Sequence, residues 1–156
     1  MLEVDIPSYG KLVFKNVVFD YNGTVAKDGA LIEGVMERLQ KLSRTVKIHI
    51  LTADTYGTVK KAFEGMRIDV HILESEHGTQ EKLEFLRKLG TDRTIAVGNG
   101  NNDSLMLKES ILGIAVIGAE GLARRALMDA DLLFTDIIDV LETLENPKRL
   151  VATLRE

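Results

Sequence analysis

No cysteine occurs among the 156 residues, which excludes disulfides, thiolate nucleophiles and cysteine-based zinc sites together. Tryptophan is also absent and proline occurs only twice, so there is no proline-rich linker and no low-complexity tract. No apolar run approaches the roughly 20 residues that a membrane span requires. The opening Met1-Leu2-Glu3-Val4-Asp5 has neither the basic start nor the apolar core of a secretory leader. Positive charge is not in excess: 20 Lys and Arg stand against 24 Asp and Glu, for a net charge of −4. With a pI near 5.5, nucleic acid and anionic membrane are excluded as main partners. What remains is the expectation of a soluble, cytoplasmic globule. The length suits one domain over 1–156, large enough to bury roughly 68–70% of its unfolded surface without staples.

The apolar residues fall into alternating periods. Segments 2–6 and 12–19 flank Pro7-Ser8-Tyr9-Gly10-Lys11 and predict a β-hairpin leading into the first central strand, with 1–11 as an extension of the domain. Leu31, Ile32, Val35, Met36, Leu39 and Leu42 recur at helical spacing and predict a helix over 31–43. Strands follow at 46–51, 68–73, 94–97, 114–117 and 132–134. They alternate with helices around Val59 to Met66 and over 79–89, 102–109, 121–128 and 137–144. Asn146 then caps a last helix, in 146–156, with Pro147 at its first position. Strand–helix alternation of this kind predicts a parallel sheet covered on both faces, with right-handed crossovers. The loops after Phe19, Leu51 and Val97 then share one rim, to which the loop after Leu73 is a further candidate.

Those loops carry the chemistry-bearing residues. Asp20 ends the apolar run Val17-Val18-Phe19, where open α/β sheets place their ligands. The turn after it, Tyr21-Asn22-Gly23-Thr24, is expected to curl its backbone N–H groups into an anion nest. A carboxylate beside such a nest points to a cation or an electrophilic phosphorus between them, with Asp20 as nucleophile or metal ligand. Thr52 puts a hydroxyl at the next strand end, although Thr52, Asp54 or Thr55 could each cap the helix that follows. Asn99, Asn102 and Asp103 lie in Gly98-Asn99-Gly100-Asn101-Asn102-Asp103. Lys82 sits near a helix start, within reach of the rim. Carboxylate, hydroxyl, ammonium and a divalent ion together make a phosphoryl-transfer apparatus.

With these motifs in order, Asp20-Tyr21-Asn22-Gly23-Thr24, Leu51-Thr52-Ala53-Asp54, Lys82 and Gly98-Asn99-Gly100-Asn101-Asn102-Asp103, the sequence resembles the haloacid dehalogenase superfamily. The likeness is to the phosphorylation domain of P-type ATPases and its small soluble phosphatase-like relatives, and it covers about residues 12–145. It implies a Rossmann-like three-layer α/β/α fold and a Mg²⁺-dependent phosphohydrolase. Asp20 would attack phosphorus, with Tyr21, Asn22, Gly23, Thr52 and Lys82 holding the phosphoryl oxygens. Asp20, the backbone carbonyl of Asn22, Asn99 and Asp103 would serve the metal. The substrate would be a phosphorylated small molecule or phosphoprotein.

Two positions depart from the family pattern. Asn22 replaces the carboxylate that acts as general acid and base, a loss of about 10²–10⁴ in rate. Asn99 replaces an acidic residue where a hard cation prefers charged oxygen. The resemblance therefore implies a slow enzyme, or else a silent phosphate-binding, metal-binding or docking module on the same fold. The 27 residues between Thr24 and Thr52 and the 29 between Thr52 and Lys82 are too few for a helix plus an inserted cap. An open site follows, which suits a large substrate or shielding by a second copy of the chain. His49, His71 and His77 show no metal-ligand spacing and read as structural. Glu74, Glu76 and His77 form a polar strand-end loop.

Overall fold

The computed structural model describes residues 1–74 and 78–156. The chain begins with an antiparallel hairpin, β1 (Leu2–Ile6) and β2 (Gly10–Phe14), and enters β3 (Asn16–Asp20). A second small hairpin, β4 (Ala26–Lys27) and β5 (Ala30–Leu31), precedes α1 (Val35–Leu42). Alternation follows: β6 (Lys47–Thr52), α2 (Thr58–Ala62), β7 (Ile68–Ile72), α3 (Gly78–Leu89), β8 (Thr94–Gly98), α4 (Ser104–Glu109) and β9 (Leu112–Val116). The chain closes with α5 (Arg124–Asp129), β10 (Leu132–Phe134), α6 (Ile137–Glu145) and α7 (Lys148–Leu154).

Six strands make one sheet in the order β10-β9-β8-β3-β6-β7, and every neighbouring pair is parallel. β8 and β9 are buried along their whole length and β3 all but its last residue, as central parallel strands covered on both faces must be. Period-two alternation divides their side chains between two layers. Val17 and Phe19 join Phe14, Leu39, Leu42, Leu141 and Leu144 on one face. Val18 faces the other side with Leu51, Leu86, Ala96, Met106 and Leu107. From β3 the chain runs outward through β6 and β7, then returns to β8 on the opposite side of β3. That reversal opens a crevice at the carboxyl ends of β3 and β8.

The sheet, the two helical layers and the amino-terminal hairpin match the expectation, and among the described residues the two short gaps hold no separate cap. Local boundaries differ. The apolar run 12–19 is two strands, because at Lys15 the backbone leaves the hairpin: its N–H donates to Arg93 O and its carbonyl accepts from Lys47 N–H. The helix expected from residue 31 begins at Val35, because Leu31 is in β5 and Gly34 takes a left-handed φ of 81°. The helix expected from 121 begins at Arg124, since Ala123 N–H is drawn to Asn99 O and Ala123 is extended. Pro147 flanks α7 as its cap in helical geometry, and Asn146 instead ends α6.

Glycine is required where α4 lies on β9. A Cβ at Gly113 would fall 2.2 Å from the Leu107 carbonyl oxygen. Gly113→Ala is expected to cost about 1–3 kcal/mol, the range for forced overpacking. The check is a lower urea midpoint at unchanged slope; a wild-type midpoint would mean that α4 can give way.

Candidate active site

The ends of β3, β6 and β8 meet at a cleft of about 290 Å³, lined by Asp20, Asn22, Thr52, Lys82, Asn99 and Glu120 among others. Residues distant in sequence converge because the three strands are adjacent and in register: Asp20 pairs with Leu51, and Phe19 with Val97. Lys82 arrives from the first turns of α3. Asp103 lies beneath it, fully buried.

Lys82 is the hinge of the charge arrangement. Its Nζ donates to Asp20 Oδ1 at 2.5 Å and to Asp103 Oδ1 at 2.6 Å, with the lysine side chain 1% exposed. Asp103 Oδ2 accepts the backbone N–H groups of Asn99 (3.0 Å) and Gly100 (2.8 Å). Both Asp103 oxygens are therefore engaged, and this carboxylate is the fixed anchor. A Cβ at Gly98 would sit 2.5 Å from Asp103 Cγ, so glycine there admits the carboxylate. One cation between two carboxylates leaves a net negative charge. Burial, then the charge of Asp103, pushes the Asp20 carboxyl up to about 7 against the opposing pull of Lys82. Burial acts to lower the Lys82 pKa, but Asp103 and Asp20 together outweigh it and hold it above the ordinary value.

The turn after Asp20 corrects one expectation. The amides of Thr24, Val25 and Ala26 converge on the Tyr21 carbonyl; Tyr21 N–H goes to Leu51 O and Gly23 N–H to Ala26 O. These five donors are spent inside the protein, because the turn caps itself before β4 begins; of the amides expected to form the nest, Gly23 N–H is among them and Asn22 N–H is not. The Tyr21 side chain is buried and its hydroxyl donates to Gly29 O at 3.0 Å. Of the residues expected to hold phosphate, Asn22, Thr52 and Lys82 line the cleft, whereas Tyr21 and Gly23 shape the turn. Gly23 has φ +80°, and a Cβ on it would meet Asn99 Nδ2 at 2.4 Å.

The N-cap of α2 is Gly57, in a left-handed conformation, and it is Asp54 rather than Thr52 that takes up a first-turn amide of the helix. The Asp54 carboxylate accepts Tyr56 N–H, Val59 N–H and the Thr58 hydroxyl. Among the described residues, Thr52 Oγ1 accepts Asp54 N–H at 3.1 Å and donates to no protein atom, so its hydroxyl proton is available to the cleft.

Two residues were missed. Thr24 donates from Oγ1 toward Asp20 Oδ2 (3.4 Å) and Asn99 Oδ1 (3.3 Å), tying the two strand ends together; its fixed offset of four from Asp20 was the available signal. Glu120, on the loop after β9, lines the cleft and accepts Asp28 N–H at 3.2 Å; nothing in its local sequence marks it. Asn99 is held by Thr24 and by donation from Nδ2 to Gly121 O at 3.1 Å. Of the Asp20 and Asp103 oxygens, Asp20 Oδ2, with the long Thr24 contact at 3.4 Å, is the least committed. The oxygen-only donor set with a surplus negative charge fits a hard divalent cation. Glu74 is exposed and donates its N–H to Glu81 Oε1 at 2.9 Å; Glu76 and His77 lie outside the described residues.

No protein-family model matches the chain. It is 43% identical over 93 residues to an uncharacterized protein of Methanocaldococcus jannaschii, covering 58% of this chain and 100% of that one. It is 27% identical over 143 residues to the soluble P-type ATPase-like phosphatase of the same organism, covering 90% of this chain but 52% of that protein. The chain thus spans about half the length of the latter relative. Among solved structures, the 3-deoxy-D-manno-octulosonate 8-phosphate phosphatase of Moraxella catarrhalis, in complex with magnesium ion, phosphate ion and KDO, superposes with a TM-score of 0.65. That match is 18% identical in sequence and covers 91% of this chain and 94% of the other.

The sheet order and the strand-end crevice define a Rossmann-like α/β fold. Beside the soluble phosphatase, the chain is similar in sequence to a probable copper-exporting P-type ATPase of Archaeoglobus fulgidus, 26% identical over 136 residues that make up 86% of this chain and 16% of that protein. Among the described residues, no helix is long and apolar enough to cross a membrane.

Proposed function

We propose that the protein is a capless, Mg²⁺-dependent phosphohydrolase that works through an aspartyl-phosphate on Asp20. The observation that carries this reading is the Asp20 carboxylate at the cleft floor, 2.5 Å from a buried Lys82 that is itself anchored on Asp103. An Asp20 oxygen attacks phosphorus, the bond from phosphorus to the leaving oxygen breaks, and that oxygen departs with the bonding pair. Lys82 and the Thr52 hydroxyl hold the phosphoryl oxygens as charge accumulates. Water then attacks the same phosphorus, releasing phosphate and restoring the Asp20 carboxylate. Asp20 and the Asn22 carbonyl would hold magnesium, with Asp103 supporting it through water, and the ion would offset phosphate charge and keep Asp20 ionised.

Asn22 is exposed at the cleft mouth and cannot give a proton to the leaving oxygen or take one from water. Turnover is therefore slow and favours leaving groups stable as anions, such as aryl and acyl phosphates. The test is hydrolysis of an aryl phosphate with Mg²⁺. Asn22→Asp should raise kcat by about 10²-fold or more, most for poor leaving groups, and an unchanged or lower rate would count against the proton-shuttle assignment. The two amides at 22 and 99 also favour a second reading, a silent phosphate-binding module. Saturable beryllium-fluoride binding without turnover, in wild type and in Asn22→Asp, would select it.

A further inference from the structure

The described residues contain one cluster of three potential metal ligands, His49, Asp69 and His71, whose ligand atoms all lie within 4.8 Å of one another. No motif announces it. Parallel pairing of β6 and β7 sets His49 opposite Asp69 and Leu51 opposite His71, so all three side chains leave the same face of the sheet. Phe85 of α3 covers the pair of imidazoles, with ring centroids 5.6 Å from His49 and 4.2 Å from His71.

The geometry within the cluster is that of a metal edge. His49 Nδ1 lies 3.4 Å from His71 Nε2 and 3.7 Å from Asp69 Oδ2. Metal–nitrogen bonds of about 2.0–2.1 Å at tetrahedral angles place two ligating nitrogens about 3.3–3.4 Å apart. The tautomer needed for ligation is set from behind. The Thr94 hydroxyl gives its proton to Gly90 O at 2.7 Å, so Thr94 Oγ1 accepts Asn16 Nδ2 at 3.4 Å. That turns Asn16 Oδ1 toward His49 Nε2, at 3.4 Å, where it can only accept. The proton of His49 is thus on Nε2, and the Nδ1 lone pair faces His71 and Asp69. A ligating histidine whose other N–H is held by an oxygen is the usual supporting arrangement of metal sites.

We propose that His49 Nδ1, His71 Nε2 and Asp69 form a second metal site, separate from the rim carboxylates, for one divalent ion that accepts nitrogen ligands, of the zinc class. Two imidazoles and one carboxylate select against magnesium, which takes oxygen. Three protein ligands leave a fourth position for water or an anion. Entry is open: His49 and Asp69 line a cavity of about 830 Å³ at the amino end of the strands, and the Asp69 side chain is 66% exposed. The bound ion would pin the edge strand β7 to β6.

The test is titration of the full chain with Co²⁺ in excess Mg²⁺, which fills the oxygen-only cleft. The expected result is one equivalent bound, with the intense visible bands of tetrahedral cobalt, displaced by Zn²⁺. Asp69→Asn and His71→Gln should each weaken binding by at least roughly tenfold, and Asn16→Ala by about 10–100-fold. Asp69→Asn alters an exposed group and leaves the fold intact, so its result stands if the buried variants fail to fold. Asp20→Asn should leave the signature unchanged. Absence of stoichiometric binding, wild-type affinity in Asp69→Asn, or loss of the bands in Asp20→Asn would each overturn the site. In those cases the 3.4 Å contact is a hydrogen bond between imidazoles.

Discussion

Lys82→Met is expected to lower stability by about 3–5 kcal/mol at pH 8, the range for removing one partner of a buried ion pair. Aryl phosphate turnover should fall to background at the same time. Methionine has nearly the length of lysine and fills the space, so the loss is electrostatic rather than a cavity. Without the ammonium, the buried Asp103 and the nearly buried Asp20 face each other with nothing between them. The loss should also depend on pH. Asp20 already has its pKa pushed up to about 7, by burial first and Asp103 second, and removal of Lys82 raises it further. At pH 5 the variant therefore carries a protonated Asp20, which can donate to Asp103 and relieve the repulsion. Urea denaturation at pH 5 and pH 8 checks this. Equal losses at both values would mean that packing, rather than charge, sets the role of Lys82.

The charge cluster was legible as residue types but not as a connected unit. Asp20, Thr52, Lys82 and Asp103 were each assigned from a strand end or helix start. The sequence has no way to say that the ammonium would touch both carboxylates at once, because that depends on how α3 docks against β3 and β8. The apolar strands were plain, since β3, β8 and β9 are buried on both faces and read as uninterrupted apolar runs. Period alone could not separate β2 from β3, because the pattern runs on through Lys15 while the hydrogen-bond partners change. The β4–β5 hairpin did carry a signal. Asp28-Gly29 is a two-residue loop with φ values of 51° and 80°, and an Asp-Gly pair is a strong type I′ turn signature. Leu31 and Ile32 also fit the helical period of α1, and that overlap masks the hairpin. The pairing of His49 with His71 was out of reach, since it arises only when β6 and β7 lie side by side.

Asp20→Asn should abolish turnover and yet yield a more stable protein than the wild type at pH 8 in metal-free buffer. Turnover disappears because an amide cannot attack phosphorus and regenerate. The gain in stability follows from linkage. The folded pKa of Asp20 is about 7 against an ordinary 3.8, so between those values the folded state holds a proton that the unfolded chain releases. For this group stability is fullest below about pH 4 and is lost as pH rises through about 7, by an amount of order 2–4 kcal/mol. Asparagine carries no such penalty, and Lys82 retains Asp103 as its counter-charge. The variant should therefore exceed the wild type at pH 8 by a few kcal/mol at most, with the margin closing toward pH 5. Magnesium should then raise wild-type stability at pH 8 and do far less for Asp20→Asn, because the ion replaces the missing positive charge beside the ionised carboxylate. Thermal unfolding of both proteins at the two pH values, with EDTA and with Mg²⁺, supplies the four comparisons. A variant no more stable than wild type at pH 8, or a magnesium effect of equal size in both, would mean that Asp20 is not held out of its ordinary ionisation range by burial and by Asp103.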